Sequence, residues 1–502
     1  MMLAILQTSE LPRLAQPTIV AVAVVYFAIV AGIGVWATRK TRTASDFFVA
    51  GEGIGLAALT LAAMSATLSG FAFIGGPGLV YATGLGAMFL ILPASVTSSM
   101  TSWALAKRMR LLAEVRGLIT VPDAIGARYR SPAAQGLSAV AILVAVIGYM
   151  ATNILALGLV IDAIFGTGLT WGVWIGMAIV LGYSVAGGIL AGVYTDVFQG
   201  SLMAVASVLV FIYTLKTGGG MEGISRTILS ADAAFMGPFG SMGAVAALSL
   251  FFVFGVGSMG QPHVIHKFYM LRDPRKLKWY PLLVTLALIV TMLLYFGVGV
   301  AVKALVVEGR MEPLARPDDA TPFFLLRFTP VLLAALVFSG VAAAIMSTVN
   351  SFMNIGAAAI THDIPVALGI TVKNELKWGR ISTVVVSILA AWLALLPGAL
   401  VAFLGIFGWG LFASTLVPAL AIGLNWEGAT KEGAIASICT GLVITLGFET
   451  MAFFKVYSFP AGVTVSGLSL VLSILVFFAV SWVTRERAAA ALDADVRLVM
   501  SV

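Results

Sequence analysis

Apolar runs of about 20 residues recur along the chain from residue 18 to residue 484, and they constrain its fold more than any other feature. A helix of that length crosses the roughly 30 Å hydrocarbon core of a bilayer. Within lipid the backbone has no water to bond, so each run satisfies its own N–H and C=O groups as a helix. About thirteen runs meet this rule. They lie at 18–38, 55–80, 84–106, 134–165, 170–187, 194–216, 240–265, 280–304, 324–360, 379–397, 400–424, 431–449 and 463–484. The fourth and ninth exceed a straight crossing, which predicts tilt. The first is too long for a secretory signal, and its cations Arg39, Lys40 and Arg42 follow it instead of preceding it. It reads as a retained helix.

Composition agrees. Of the 502 residues 60% are hydrophobic and 10% charged, where a soluble chain carries about a quarter charged. The 53 glycines suit close helix packing in lipid. Charge placement fixes an expected orientation. With the N-terminus outside, only Arg13, Lys216, Arg226, Lys303, Arg310, Arg316, Arg327 and Lys455 of the 29 Lys and Arg fall outside or at helix ends there. The remainder lie in segments that would be cytoplasmic, including the C-terminal tail, as the positive-inside rule expects. This bias accounts for the net charge of +7 without a nucleic-acid partner. The expected location is the cell (inner) membrane, crossed many times. The polar stretches 107–130 and 306–321 are too short to fold alone, so no appended enzyme or receptor domain is expected. Cys439 has no second cysteine to pair with, and His263, His266 and His362 are not spaced as metal ligands. No enzyme activity and no cofactor is therefore expected, and nothing in the sequence fixes an oligomeric state.

Two spans are poor helices. In the second, Ser69-Gly70 and Gly75-Gly76-Pro77 interrupt the run; in the seventh, Gly255, Gly257, Gly260 and Pro262 do. Glycine weakens a helix by about 1 kcal/mol relative to alanine, and proline removes a donor. Carbonyls released there are costly in lipid unless they coordinate something; small residues at these places also serve plain packing. Two broken helices five spans apart match the inverted-repeat pattern of secondary transporters. In the ninth span Ser347 and Thr348 are adjacent. Their hydroxyls and freed carbonyls would make an oxygen cage suited to a hard cation, although membrane Ser and Thr also bond back to their own helix.

Five stretches, taken in order, resemble the sodium/solute symporter family, which has the LeuT-like fold, and bacterial sodium/proline symporters in particular. Ser45-Asp46-Phe47-Phe48 with Gly51 is similar to "DYxxGGR", and Ser69-Gly70 to the end of "SDMSGW". Gly187-Gly188 through Tyr194-Thr195-Asp196 and Gln199 resembles "GGxxAVxWTDxxQ". Gly260-Gln261-Pro262-His263 resembles "GQPH", and Ala344 through Thr348 resembles "AxMST".

The resemblance implies an all-α polytopic membrane protein forming one transporter domain over 1–502. It has a 5+5 inverted repeat (55–216 and 240–424), an extra N-terminal helix (18–38), two C-terminal helices (431–484) and a tail (485–502). It implies sodium-coupled import of a small organic solute by alternating access, the solute being an amino acid such as proline or a monocarboxylate. A proton-coupled or uncoupled carrier on the same fold is the alternative; a sensor or channel is a more distant one. The family's sodium ligands fall on the carbonyls of Ser65, Leu68 and Ala344 and the hydroxyls of Ser347 and Thr348. Its solute positions fall on Ser69, Gly70, Tyr149, Phe254, Ser258 and Ser351, and an aspartate associated with ion passage on Asp196, read as an inward-facing carboxylate at a helix end. Thr67 and Glu52 stand where the proline symporters have aspartate and arginine, so the resemblance does not name the solute. No Lys, Arg or His is expected deep in the spans that form the pocket, which would leave an anionic group to rest on backbone N–H groups.

Overall fold

The computed structural model describes residues 17–39, 55–67, 69–270, 273–396, 401–457, 459, 463–487 and 492–502. Among these the regular structure is entirely helical. Ten helical stretches are long and apolar enough to cross a membrane, and the apolar stretches Pro17–Ile33 and Leu169–Gly182 are shorter. Trp103, Trp171, Trp392 and Trp482 project outward, each more than half exposed. Such amphipathic rings sit well at a membrane surface.

The first helix is α1 (Pro17–Thr38). The second span is broken as the sequence predicts. Helix α2 (Leu56–Thr67) stops, and the chain resumes as a π-turn, Phe71–Gly75, that runs into α3 (Gly76–Thr83). Helix α4 (Met88–Thr101) follows, then α5 (Lys107–Arg116) and α6 (Val121–Tyr129). Helix α7 (Pro132–Phe165) begins at Ser131, whose side chain accepts from Ala134 N–H with Pro132 at the first helical position, and ends at Gly166 in the left-handed conformation.

Residues 170–187 and 194–216, expected as two spans, belong to one unbroken helix of 49 residues, α8 (Leu169–Thr217). No proline occurs in it, and Gly187-Gly188 alone does not halt the hydrogen-bond ladder. Its first part lies against α7 with backbones almost touching. A Cβ on Gly172 would stand 2.3 Å from the Gly158 carbonyl oxygen.

After α9 (Gly220–Ala231), the seventh span is broken too. Helix α10 (Gly243–Val256) tightens into a 3₁₀ turn, Gly257–Gly260, Gln261 is extended, and Pro262–Ile265 adds one helical turn. Then come α11 (Tyr280–Val307), α12 (Ala320–Phe328) and α13 (Val331–Ala358). Every residue of α13 from Val337 to Ala358 is buried. A helix buried all round lies at the centre of its bundle, and α13 packs against α1, α2, α7 and α8. The remaining helices are α14 (Glu375–Ala394), α15 (Val401–Leu416), α16 (Lys431–Phe453), α17 (Val465–Val483) and α18 (Ala494–Met500). The expected tail thus contains a helix. Arg116 of α5 holds it through Asp493 at 2.7 Å and Asp495 at 2.6 Å.

Candidate ion and solute site

The break in the second span is held open by α7. Gly70 N–H donates to Asn153 Oδ1 at 2.8 Å, and Phe71 N–H donates to Ser69 Oγ at 3.2 Å. Asn153 is itself fixed by donation from Nδ2 to the Tyr149 carbonyl at 2.9 Å, and the Tyr149 hydroxyl lies 3.3 Å from Ser69 Oγ. Of these donors, that of Gly70 is met by the neighbouring helix α7 and that of Phe71 by the Ser69 side chain two residues before it. Asn153 was missed in the sequence, where the available signal was an amide inside an apolar run, one turn after Tyr149. Gly70 is needed sterically, because a Cβ there would stand 2.6 Å from Ala156 Cβ and 2.9 Å from Ile345 Cγ1. Gly70→Ala is expected to cost about 1–3 kcal/mol as overpacking. A lowered unfolding midpoint of the purified protein is the check.

Across this break α2 meets α13. The Thr348 hydroxyl donates to the Ala344 carbonyl at 3.1 Å and stands 3.5 Å from the Ser65 carbonyl oxygen. The Ser347 hydroxyl is fully buried beside the Asp196 carboxylate, with no hydrogen bond of good geometry among the described residues. A cation held by oxygens at about 2.3–2.6 Å separates neighbouring ligands by roughly 3.3–3.7 Å. The Thr348–Ser65 spacing fits such a shell. Three of the five expected sodium positions, Ser65, Ala344 and Thr348, thus lie within 3.5 Å of the Thr348 hydroxyl or carry it, and Ser347 is the neighbouring residue on α13. Leu68 lies outside the described residues.

Asp196 is not at a helix end. It sits inside α8, where Oδ2 pairs with Lys267 Nζ at 2.8 Å and both side chains are at most 2% exposed. Its other oxygen has no hydrogen-bond partner among the described residues. One turn on, Gln199 Nε2 donates to the Tyr26 hydroxyl at 2.9 Å, and that hydroxyl lies 3.8 Å from Met346 Sδ beside Ser347. Buried polar side chains thus lie between Lys267 and α13, with Asp196 beside Ser347. Lys267, placed by its sequence in a solvent-facing cationic segment, points inward because the broken seventh span carries it under α8.

The expected solute residues separate into two groups. Tyr149 and Phe254 belong to a closed aromatic cluster with Trp409, Phe352 and His263, each at most 3% exposed. Phe254 stacks on Trp409 with ring centroids 5.0 Å apart, and Phe352 meets Tyr149 edge-on at 5.1 Å. The His263 ring is 4.7 Å from Phe352, and neither of its nitrogens has a hydrogen-bond partner. Gln261 Oε1 is likewise unpartnered. The expectation that no His or Lys lies deep near the pocket is corrected by His263 and Lys267. Ser69 and Gly70 border this cluster through Tyr149. Ser351 is buried one turn beyond Ser347. Ser258 faces elsewhere, with its hydroxyl 2.9 Å from Thr101 Oγ1 and 3.2 Å from Thr97 Oγ1 on α4.

A cover lies over the π-turn. Thr321 of α12 donates to the Phe73 carbonyl at 2.7 Å, and Asp318 accepts from Val401 N–H at 2.9 Å at the start of α15. Burial pushes the Asp318 carboxyl up to about 6.

Comparison with known proteins bears on the family and the fold. A sequence model described as the sodium:solute symporter family matches residues 47–441. The osmoregulated proline transporter OpuE of Bacillus subtilis is 28% identical over 481 residues, covering 93% of this chain and 95% of that protein. The sodium/pantothenate symporter of Escherichia coli is 26% identical over 470 residues, covering 90% of this chain and 94% of that protein. Among solved structures, a Na+-coupled sialic acid symporter in a substrate-bound outward-open state superposes with a TM-score of 0.74. The identity is 18%, covering 93% of this chain and 98% of that one. At that identity the likeness shows a shared fold.

Proposed function

Because the chain belongs to the sodium:solute symporter family, we propose that its solute is a small amino acid such as proline, or a monocarboxylate, bound in the aromatic cluster at the two helix breaks. The broader activity is sodium-coupled symport of a small solute by a multi-pass membrane protein. The observation that carries the reading is the approach of the Thr348 hydroxyl to the Ser65 and Ala344 carbonyls between a broken helix and the central helix, with Ser347 next to it on the chain. Sodium bound there ties α2 to α13 and so shapes the break at Ser69 and Gly70, beside Tyr149 and Phe254. Leu68 supplies a further carbonyl, and Asp196 lies on the ion's route. His263 and Gln261 give the pocket polar groups for orienting a zwitterion or a carboxylate. Ser351 lies on the way from the ion to the solute, and Ser258 fixes the wall against α4.

In this reading 55–216 and 240–424 are the two inverted repeats of a single transporter domain. The N-terminus is outside and the C-terminus cytoplasmic. One sodium ion moving down 100 mV supplies about 2.3 kcal/mol, and a tenfold gradient about 1.4 more. Their sum holds roughly a 500-fold solute gradient at one-to-one coupling.

The test is uptake of labelled proline into proteoliposomes, with pantothenate and small monocarboxylates as competitors. Accumulation is expected only with an inward sodium gradient. Accumulation on a pH gradient without sodium would replace sodium by protons, and failure of every amino acid and monocarboxylate to enter or compete would overturn the solute class.

A further inference from the structure

The face on which α13 ends carries a second cluster, away from the ion and solute site. At Thr120 a capping box opens α6, and Asp123 accepts from the backbone N–H groups of Ile119 and Thr120 at 3.2 Å each. Gln135 Nε2 donates to the same carboxylate at 2.9 Å. Beyond α13 the helix widens into a π-turn, Ala359–Asp363, a feature common at functional sites. The turn brings His362 and Asp363 to Asp123. His362 Nε2 stands 3.2 Å from both Asp123 oxygens, and Thr120 Oγ1 donates to Asp363 Oδ1. Donor atoms of Asp123, His362 and Asp363 all lie within 4.8 Å of one another.

Charge is out of balance here. Asp123, Asp363 and Glu375 surround one imidazole, and among the described residues no Lys or Arg nitrogen lies within 4.0 Å of them. Asp363 is only 1% exposed. Buried carboxylates normally have a paired cation or a metal. A proton or a metal ion must stand between His362 Nε2 and Asp123. On the far side of the ring Nδ1 has no hydrogen bond, and Glu375 Oε1 lies 3.8 Å away. That is where a metal-bound histidine takes its orienting carboxylate. A small cavity adjoins the cluster, lined by Thr120, Asp363, His266 and Asn354. Asn354 Oδ1, on a side chain 2% exposed, has no partner. The cavity leaves a place for a water ligand.

We propose that Asp123, His362 and Asp363 bind a divalent transition-metal ion of the zinc type, with Gln135, Thr120 and Glu375 orienting them. Zinc bonds of about 2.0–2.2 Å at tetrahedral angles separate donors by roughly 3.3–3.6 Å. The His362–Asp123 pair already has nearly that spacing, and Asp363, within 4.8 Å, has at most about 1.5 Å to close. Two carboxylates and an imidazole suit Zn²⁺ better than a thiolate-seeking or purely oxygen-seeking ion. A bound ion fastens α6 to the end of α13, the helix that carries Ser347 and Thr348, and so holds that face of the transporter closed.

The test uses the full-length protein in detergent and needs no solute. Co²⁺ titrated into the parent is expected to give the visible absorption of a low-coordinate site, displaced by Zn²⁺, with Zn²⁺ raising the unfolding midpoint. His362→Gln, which keeps a hydrogen bond to Asp123, should weaken Zn²⁺ binding at least about 100-fold, and Glu375→Gln about 10-fold or more. In proteoliposomes Zn²⁺ at this face should slow uptake by the parent and not by His362→Gln. Absence of a Co²⁺ spectrum in the parent, or equal Zn²⁺ affinity in parent and His362→Gln, would overturn the site. Neither result depends on which solute is carried, so failure of the transport reading is separately visible.

Discussion

Lys267→Met is expected to destabilise the folded protein by about 3–5 kcal/mol, and Asp196→Asn in the same molecule is expected to restore most of the loss. The pair is buried on both sides, at 1% and 2% side-chain exposure, with 2.8 Å between Nζ and Oδ2. Removing the ammonium leaves a carboxylate with no counter-charge and one oxygen already unpartnered. Removing both charges leaves an amide that Gln199 and Ser347 can accommodate and an apolar chain of nearly lysine's length. The net worth of a buried pair is small because desolvation offsets attraction, whereas the cost of half a pair is large. Unfolding midpoints of the parent, both single variants and the double variant form the cycle. Additive losses would mean that the two groups do not depend on each other. The lysine also bears on coupling. A fixed ammonium stands beside Asp196, so on the proposed ion route the charge of that carboxylate is already largely offset.

Much of this was legible in the sequence because it was written in local chemistry. The breaks beside Ser69-Gly70 and at 257–262 follow from Ser-Gly and Gly-Pro placement, which act within one helical turn. Ser347 and Thr348 were visible as adjacent hydroxyls inside an apolar run. What the sequence hid depends on partners remote along the chain. Lys267 looks like a solvent-facing cation until α8 brings Asp196 to it, 71 residues away. His263 looks like part of a helix end until the extended Gln261 turns it into the aromatic cluster. Asn153 matters only because the donor it meets belongs to a different, broken helix. His362 and Asp363 become a cluster only when the π-turn sets them against Asp123. The continuity of α8 was missed for the opposite reason: two glycines and a polar triplet suggest a break locally, and nothing in the fold enforces it.

Thr348→Ala is expected to raise the sodium concentration for half-maximal effect by about 10- to 150-fold, the equivalent of losing about 1.5–3 kcal/mol of bonding to a charged species. Protein level and the unfolding midpoint without sodium should change little. The hydroxyl's bond to the Ala344 carbonyl is within its own helix, and a carbonyl losing it keeps its ladder partner. Thr348→Ser should stay near the parent. Thr383 is the control, because its buried hydroxyl bonds back to the Gly379 carbonyl at 2.9 Å within α14, outside the meeting of α2 and α13. If back-bonding were the whole role of Thr348, the two alanine variants would behave alike. If the 3.5 Å approach to Ser65 marks a shared ion, only Thr348→Ala shifts the sodium response. Sodium-dependent rise in unfolding midpoint reads this directly, since an ion that binds only the folded state stabilises it by mass action. An unchanged sodium titration in Thr348→Ala would remove the ion from this place. A shift confined to Thr348 would make the meeting of α2 and α13 the point where sodium binding becomes solute binding, because the same break continues without interruption into Ser69, Gly70 and Tyr149.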